Sequence, residues 1–221
     1  MDLKRAVAKE AAKLIKDGSV VGLGSGSTAA LFIEELAKRM ENEDIAIFGV
    51  PTSYEAKLLA SHYGIPIVSI EDYDVDIAVD GADEVRKKDL ALIKGGGGCH
   101  TWEKIVDYNA KEFVVIVDES KVKDSLSFPV PVEVIPHSYR VVMKRLKELG
   151  GESVIRLGER KRGPVITDNG NFILDVNIKV ENAEELEEKI NNIPGVVENG
   201  IFSRVDKVLV GTKKGVKALK K

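Results

Sequence analysis

The sequence predicts an α/β chain built on a doubly wound, mostly parallel sheet, with a second, α+β domain inserted near the C-terminus. Three observations lead there. Up to about residue 128, short apolar runs rich in β-branched residues alternate with stretches of helical period, the pattern of buried parallel strands joined by crossover helices. A turn of glycine, serine and threonine, Gly22-Leu-Gly-Ser-Gly-Ser-Thr28, links the first such strand to the helix after it. Beyond Phe128-Pro-Val-Pro131 the order becomes strand, helix, strand, strand, helix, strand, which is a ferredoxin-like plan.

Taken in order, Leu3 to Ile15 carries apolar residues at helical spacing and stops at Asp17-Gly18, where glycine can take the left-handed conformation. Ser19 to Leu23 is a short strand, and after the glycine-rich turn Ala29 to Met40 resumes an amphipathic helix. Further strands are expected at Ile45–Val50, Ile65–Ile70, Val75–Val79, Leu90–Ile93 and Phe113–Val117, with helices near Ser53–Tyr63 and Thr101–Lys111. The second domain is read as strand Val132–Ile135, helix Ser138–Leu149, strands Ser153–Leu157 and Phe172–Val180, helix Ala183–Ile193 and strand Val196–Ile201. Gly150-Gly151, Asp168-Asn-Gly170 and Pro194-Gly195 fall between these elements, as turn chemistry requires. Lys207–Val210 then returns to the first sheet. A Rossmann-like domain is therefore expected at 1–128 plus 205–221, and a ferredoxin-like domain at 129–204.

Composition excludes several classes of function. The 221 residues are 43% hydrophobic, enough for a core without staples. Every apolar run is interrupted by charge well before the ~18 residues that a membrane span needs. A net charge of −3 and 5% aromatic residues leave neither a basic field nor a stacking platform for nucleic acid. The basic segment Lys213 to Lys221 is read as a solvated tail. Cys99 is the single cysteine, which suits a reducing compartment, and no charged-then-apolar leader opens the chain, so a cytoplasmic location is expected. Glutamine is absent and charged residues reach 31%, a composition associated with heat-adapted proteins.

The chemistry-bearing residues cluster between Asp80 and Glu103. Asp80, Lys94 and Glu103 end or open predicted elements, which would set all three on the carboxyl-end rim of the sheet, where α/β folds hold ligands. Asp80 and Asp83, with Gly81 and Ala82 between them, suit recognition of the hydroxyls of a small polyol; a metal site competes, but no histidine lies nearby. Lys94 precedes four glycines, Gly95 to Gly98. Their amides with the lysine ammonium would stabilise an oxyanion, the alternative being a hinge. Glu103, nine positions on and at the start of a helix, is either a general base or a charge favouring the helix N-terminus. Ser25, Gly26, Ser27 and Thr28 offer amide and hydroxyl donors for a phosphate, or simply cap the helix. The same turn also fits Gly-x-Gly-x-x-Ala, but the next strand ends without the acid that a dinucleotide ribose wants. Cys99-His100 lacks the partners that zinc would need, and Trp102 is read as a packing or lid residue.

Together, the Gly-Ser-Thr turn, Asp-Gly-Ala-Asp-Glu, Lys-Gly-Gly-Gly and the glutamate nine residues after the lysine resemble the ribose-5-phosphate isomerase A family, over essentially the whole chain. The resemblance implies an aldose–ketose isomerase of the non-oxidative pentose phosphate pathway, working without metal or cofactor. It implies that Glu103 shuttles a proton between C1 and C2 while Lys94 and the amides of Gly95, Gly96 and Gly97 steady the oxyanion. Asp80 and Asp83 match the hydroxyl-binding and ring-opening aspartates. Ser25 to Thr28 and Lys121 match the substrate-binding turn and lysine, with Lys4 a further phosphate ligand. The family is usually a homodimer or homotetramer. Trp102 stands where the family usually has arginine, and Gly98 where it usually has alanine. Two rival readings are a non-catalytic sugar-phosphate sensor, which would not need Glu103 and Lys94, and a dinucleotide-dependent oxidoreductase.

Overall fold

The computed structural model describes residues 2–160 and 162–220. In chain order the elements are α1 (Leu3–Ala12), β1 (Val20–Leu23), α2 (Ser27–Glu43), β2 (Phe48–Pro51), α3 (Tyr54–His62), β3 (Ile77–Asp80), β4 (Glu84–Arg86), β5 (Leu92–Ile93), α4 (His100–Asn109), β6 (Glu112–Asp118), β7 (Val122–Lys123), β8 (Val130–Val134), α5 (Tyr139–Glu148), β9 (Glu152–Ile155), β10 (Phe172–Asn177), α6 (Ala183–Asn191), β11 (Val196–Asn199), β12 (Ile201–Phe202), β13 (Lys207–Thr212) and β14 (Gly215–Leu219). They form two compact units. The first comprises Met1–Ala82, Trp102–Val122 and Arg204–Lys221; the second comprises Asp83–Thr101 and Lys123–Ser203.

The first unit is built on a six-stranded sheet of order β14-β13-β6-β3-β1-β2, parallel throughout except at the β13–β14 edge. Its central strands are buried on both faces, which is why Val20–Leu23 and residues 77–79 read as continuous apolar runs. Val7, Ala8 and Ala11 of α1 and Phe32, Ile33 and Leu36 of α2 form one core with Val21, Leu23, Val79, Val114 and Ile116 of the sheet. The Asp2 side chain caps α1 by accepting from the amides of Lys4 and Arg5, and Ser53 caps α3 by accepting from Ala56.

The second unit carries an antiparallel sheet of order β11-β8-β10-β9, the strand order of a ferredoxin-like β-α-β-β-α-β unit. Val130, Val132, Val134, Leu174 and Val176 bury one face of it against Val142 and Leu146 of α5 and Ile190 of α6. A small third sheet has the order β12-β5-β4-β7.

Five sequence expectations change. Residues 83–101 group with the second unit rather than the first, because Ala91 and Ile93 are buried in the same core as Val130 and Leu174. Lys94 consequently follows a strand of the small sheet, and Asp80, Lys94 and Glu103 do not project from one rim of one sheet. The run Ile65–Ile70 contributes only a bridge, Gly49 to Ile67, since Pro66 removes a ladder donor from so short a stretch. Val196–Ile201 divides into β11 and β12 at Gly200, whose backbone meets the Lys94 carbonyl so closely that a Cβ would overlap it. The basic segment is not a bare tail: Gly215–Leu219 pairs antiparallel with β13 as an edge strand, register Val210 to Lys217. Among the described residues no helix is long and apolar enough to cross a membrane.

Candidate active site

The residues singled out in the sequence fall into two sets, one in each unit. In the first unit, β1 leaves the sheet beside the end of β3, and the turn into α2 is organised by Asp80. The Gly24 amide donates to the Val79 carbonyl at 3.0 Å, and a side chain at Gly24 would overlap the Asp80 carboxylate. Asp80, fully buried, accepts at Oδ1 from the amides of Ser25 (3.0 Å) and Gly81 (2.6 Å). Charged acceptors of this kind make strong hydrogen bonds, so the carboxylate and the turn fix one another. The Ser25 hydroxyl lies 2.8 Å from that of Thr52 and donates to that of Ser53 at 2.6 Å. Gly26 takes φ +88°, a conformation that favours glycine, and its amide donates to Glu55 at 3.2 Å. Thr28 and Ala82 are half-buried.

Lys4 reaches the same turn, donating from Nζ to the Ser27 hydroxyl at 2.9 Å. Its helix is tied to α2 by Arg5, which pairs with Glu34 at 3.0 Å and Glu35 at 2.6 Å. Asp118, at the end of β6, reports the local field. Burial pushes its carboxyl up, yet the Ser120 hydroxyl and amide together with the charges of Lys4 and Lys121 hold it below its ordinary value. Lys4, Ser27 and Lys121 thus share one cationic neighbourhood in the first unit.

In the second unit, the Asp83 amide donates to the Ile93 carbonyl at 2.8 Å, and its Oδ2 accepts the Gly96 amide at 2.7 Å. Lys94 is 2% exposed; its amide donates to the Gly200 carbonyl, and its ammonium lies 5.4 Å from the centre of the Phe202 ring. The glycine run is a steric requirement at three of its four positions. Gly95 has φ +97° and a Cβ there would sit 2.7 Å from His100 Nδ1; one at Gly96 would sit 2.6 Å from Asp83 Oδ1; Gly98 has φ +83° with Ile173 3.0 Å away. Gly97 faces open space.

Helix α4 begins at His100, with Glu103 in its first turn and 5% exposed. Trp102 leans on Tyr54, ring centres 5.4 Å apart, so the residue in the place of the usual arginine is a packing contact within the first unit. The buried His100 ring lies 3.3 Å from the Glu198 carbonyl through Nε2. No group of three or more His, Cys, Asp or Glu that could hold a metal occurs among the described residues.

Several residues around these sets carry no local signal in the sequence. Arg156 donates to the carbonyls of Gly95 and Gly96, and the buried Glu133 accepts from Thr101 in the first turn of α4. Both act across sequence distances of 32 residues or more, which no spacing rule reveals. Ser53 was more accessible, since a serine immediately before a helical stretch is an N-cap signal. A cleft of about 530 Å³ in the first unit, lined by Val50, Pro51, Tyr54, Ile67, Trp102 and Ile105, includes none of Asp80, Lys94 or Glu103.

A model of the family described as ribose 5-phosphate isomerase A (phosphoriboisomerase A) matches residues 48–215. The chain belongs to the ribose 5-phosphate isomerase A family. It is 69% identical over 222 aligned residues to ribose-5-phosphate isomerase A of Methanocaldococcus jannaschii, covering 100% of this chain and 98% of that one. The solved ribose 5-phosphate isomerase A from the same organism superposes with a TM-score of 0.99, covering 100% of this chain and 99% of the other at 69% identity. A D-ribose-5-phosphate isomerase in complex with phospho-erythronic acid, 48% identical, gives a TM-score of 0.97 with 100% and 98% covered.

Proposed function

We infer that this protein interconverts D-ribose 5-phosphate and D-ribulose 5-phosphate. The observation that carries the reading is the end-to-end identity of 69% with a ribose-5-phosphate isomerase A. The complex of a 48% identical relative with phospho-erythronic acid supports it: that ligand is a sugar acid phosphate whose carboxylate bears negative charge, as an enediolate does.

The chemistry assigned to the residues follows from what each can do. The reaction removes the proton on C2 of the open-chain aldose and returns one to C1, through an enediolate. Glu103 is the base that carries that proton. Lys94 and the glycine amides hold the charge that develops on the neighbouring oxygen, where fixed donors act without reorganising. Asp80 and Asp83, each already oriented by a backbone amide, manage the substrate hydroxyls and the opening of the ring. The Ser25–Thr28 turn with Lys121 and Lys4 takes the phosphate: its donors lie at a helix N-terminus, which favours an anion. The enzyme works in the cytoplasm as a homodimer or homotetramer, as is usual in the family, in the non-oxidative pentose phosphate pathway.

The test is direct. Purified protein in the presence of a chelator converts ribose 5-phosphate to the ketose, and Glu103→Gln lowers kcat by ~10²–10⁴-fold with KM nearly unchanged. Ketose formation by the variant at the unaltered rate refutes the assignment of the base.

A further inference from the structure

We propose that Arg156, on the ferredoxin-like sheet, is a positioning residue that aims the amides of the glycine loop at the developing oxyanion. This deepens, and rests on, the assignment of Lys94 and the following amides to that charge. Arg156 directly follows β9, and its backbone is held from both sides: its amide donates to the Ile173 carbonyl and its carbonyl accepts from Val165, each at 2.9 Å. The guanidinium is then oriented by Asp175 of β10, which accepts from Nε at 2.9 Å and also from Nη2. This forked pairing fixes the plane of the group. What remains is Nη1, and it donates to the Gly95 carbonyl at 2.9 Å and the Gly96 carbonyl at 3.1 Å. Four of the five guanidinium N–H donors are thereby committed, and the side chain is 16% exposed.

Trans-peptide geometry turns this contact into an aiming device. In a trans peptide the C=O and the N–H of the next residue point in opposite directions. Fixing the carbonyls of Gly95 and Gly96 therefore fixes the amides of Gly96 and Gly97 on the side away from Arg156. The first of these peptides shows the geometry: its N–H turns away from Arg156 and donates to Asp83 at 2.7 Å, so the amide that the same device aims at the oxyanion is that of Gly97. Four glycines in a row have more conformational freedom than any other tetrapeptide. A turn inside the loop, the Gly98 amide donating to the Gly95 carbonyl at 2.9 Å, ties part of it, and Arg156 holds the Gly96 carbonyl from outside. The positive charge on the two carbonyls also polarises those peptides and strengthens their N–H groups as donors.

Arg156→Ala and Asp175→Asn test this together, the second keeping the arginine while removing the charge and one arm of the forked pair that orients it. Both are expected to lower kcat by about 10–100-fold with little change in KM for ribose 5-phosphate. Affinity for phospho-erythronic acid falls by a similar factor, because that ligand carries charge where the amides point. Guanidinium chloride, well below denaturing concentrations, restores part of the Arg156→Ala activity. A purely structural role would lower the melting temperature while leaving kcat per folded molecule and acid affinity intact, and that result overturns the proposal. Lys94→Ala separates the two levels. If it turns over normally, the oxyanion assignment falls and this inference with it; if it is inactive while both Arg156 and Asp175 variants match the parent enzyme, only this inference falls.

Discussion

At the scale of single residues, the two lysine assignments make opposite kinetic predictions. Lys94 is buried against Phe202 in the second unit, and its proposed partner charge exists fully only in the transition state. Lys121 shares with Lys4 the field around Asp118 in the first unit, and its proposed partner, a phosphate, is present from binding onward. Lys94→Ala is therefore expected to reduce kcat much more than it raises KM, and Lys121→Ala to raise KM with kcat largely kept. Steady-state kinetics on both variants checks the pair, and a reversed pattern would exchange their roles. Residues of this kind drew attention in the sequence through their combination: a lysine before four glycines is costly for an ordinary linker, whereas two aspartates around Gly81-Ala82 also suit a common turn. Arg156, Asp175 and Glu133 were not legible. Each stands in an unremarkable strand or strand end, and only tertiary pairing gives it meaning.

At the scale of elements, the glycine-rich turn between β1 and α2 shows how local sequence and packing meet. Gly24 has no room for a Cβ because the Asp80 carboxylate occupies that space, whereas Gly97 has neither a neighbour within 4 Å nor a left-handed φ. Gly24→Ala must displace a buried, doubly hydrogen-bonded carboxylate, so it is expected to cost about 1–3 kcal/mol, at roughly 2–4 °C of melting temperature per kcal/mol for a chain of this size. Gly97→Ala should melt within a degree or two of the parent. Calorimetry on the two variants decides it, and equal melting temperatures would mean that the turn yields where the geometry says it cannot. The same scale explains the misread elements. Strands β1, β3 and β6 were visible because they are apolar on both faces. Strand β14 was not: its one lysine, Lys217, stays exposed on a sheet edge and further lysines flank it, so the composition is that of a solvated tail. Charged edges of this sort discourage pairing with other chains.

At the scale of the whole molecule, the chain passes between the two units at 82/83, 101/102, 122/123 and 203/204, and two of those crossings flank the segment from Asp83 to Thr101. The β-α alternation and the ferredoxin-like order were readable because long apolar periods survive any tertiary context. The allegiance of residues 83–101 was not, since it depends on which core receives Ala91 and Ile93. Within the second unit, that segment ends on Glu133, whose fully buried carboxylate accepts from Thr101 at 2.5 Å, Thr167 at 2.9 Å, Asn169 at 3.0 Å and Asn171 at 2.8 Å. Burial alone would push this carboxyl up, but the four donors outweigh it and hold the group below the usual carboxylate range. A carboxyl whose value is lower folded than unfolded stabilises the native state at all pH above the unfolded value, and that contribution fades as pH falls through the folded one. Glu133→Gln replaces one acceptor oxygen with a donor facing donors, at a cost on the order of 1–3 kcal/mol near neutrality. The gap in melting temperature between parent and variant should thus be widest at neutral pH and narrow on acidification below the ordinary carboxylate range. Melting curves across that range measure it. A gap that stays constant with pH would mean that Glu133 is already protonated in the folded chain, and that its four partners hold a neutral acid rather than a charge.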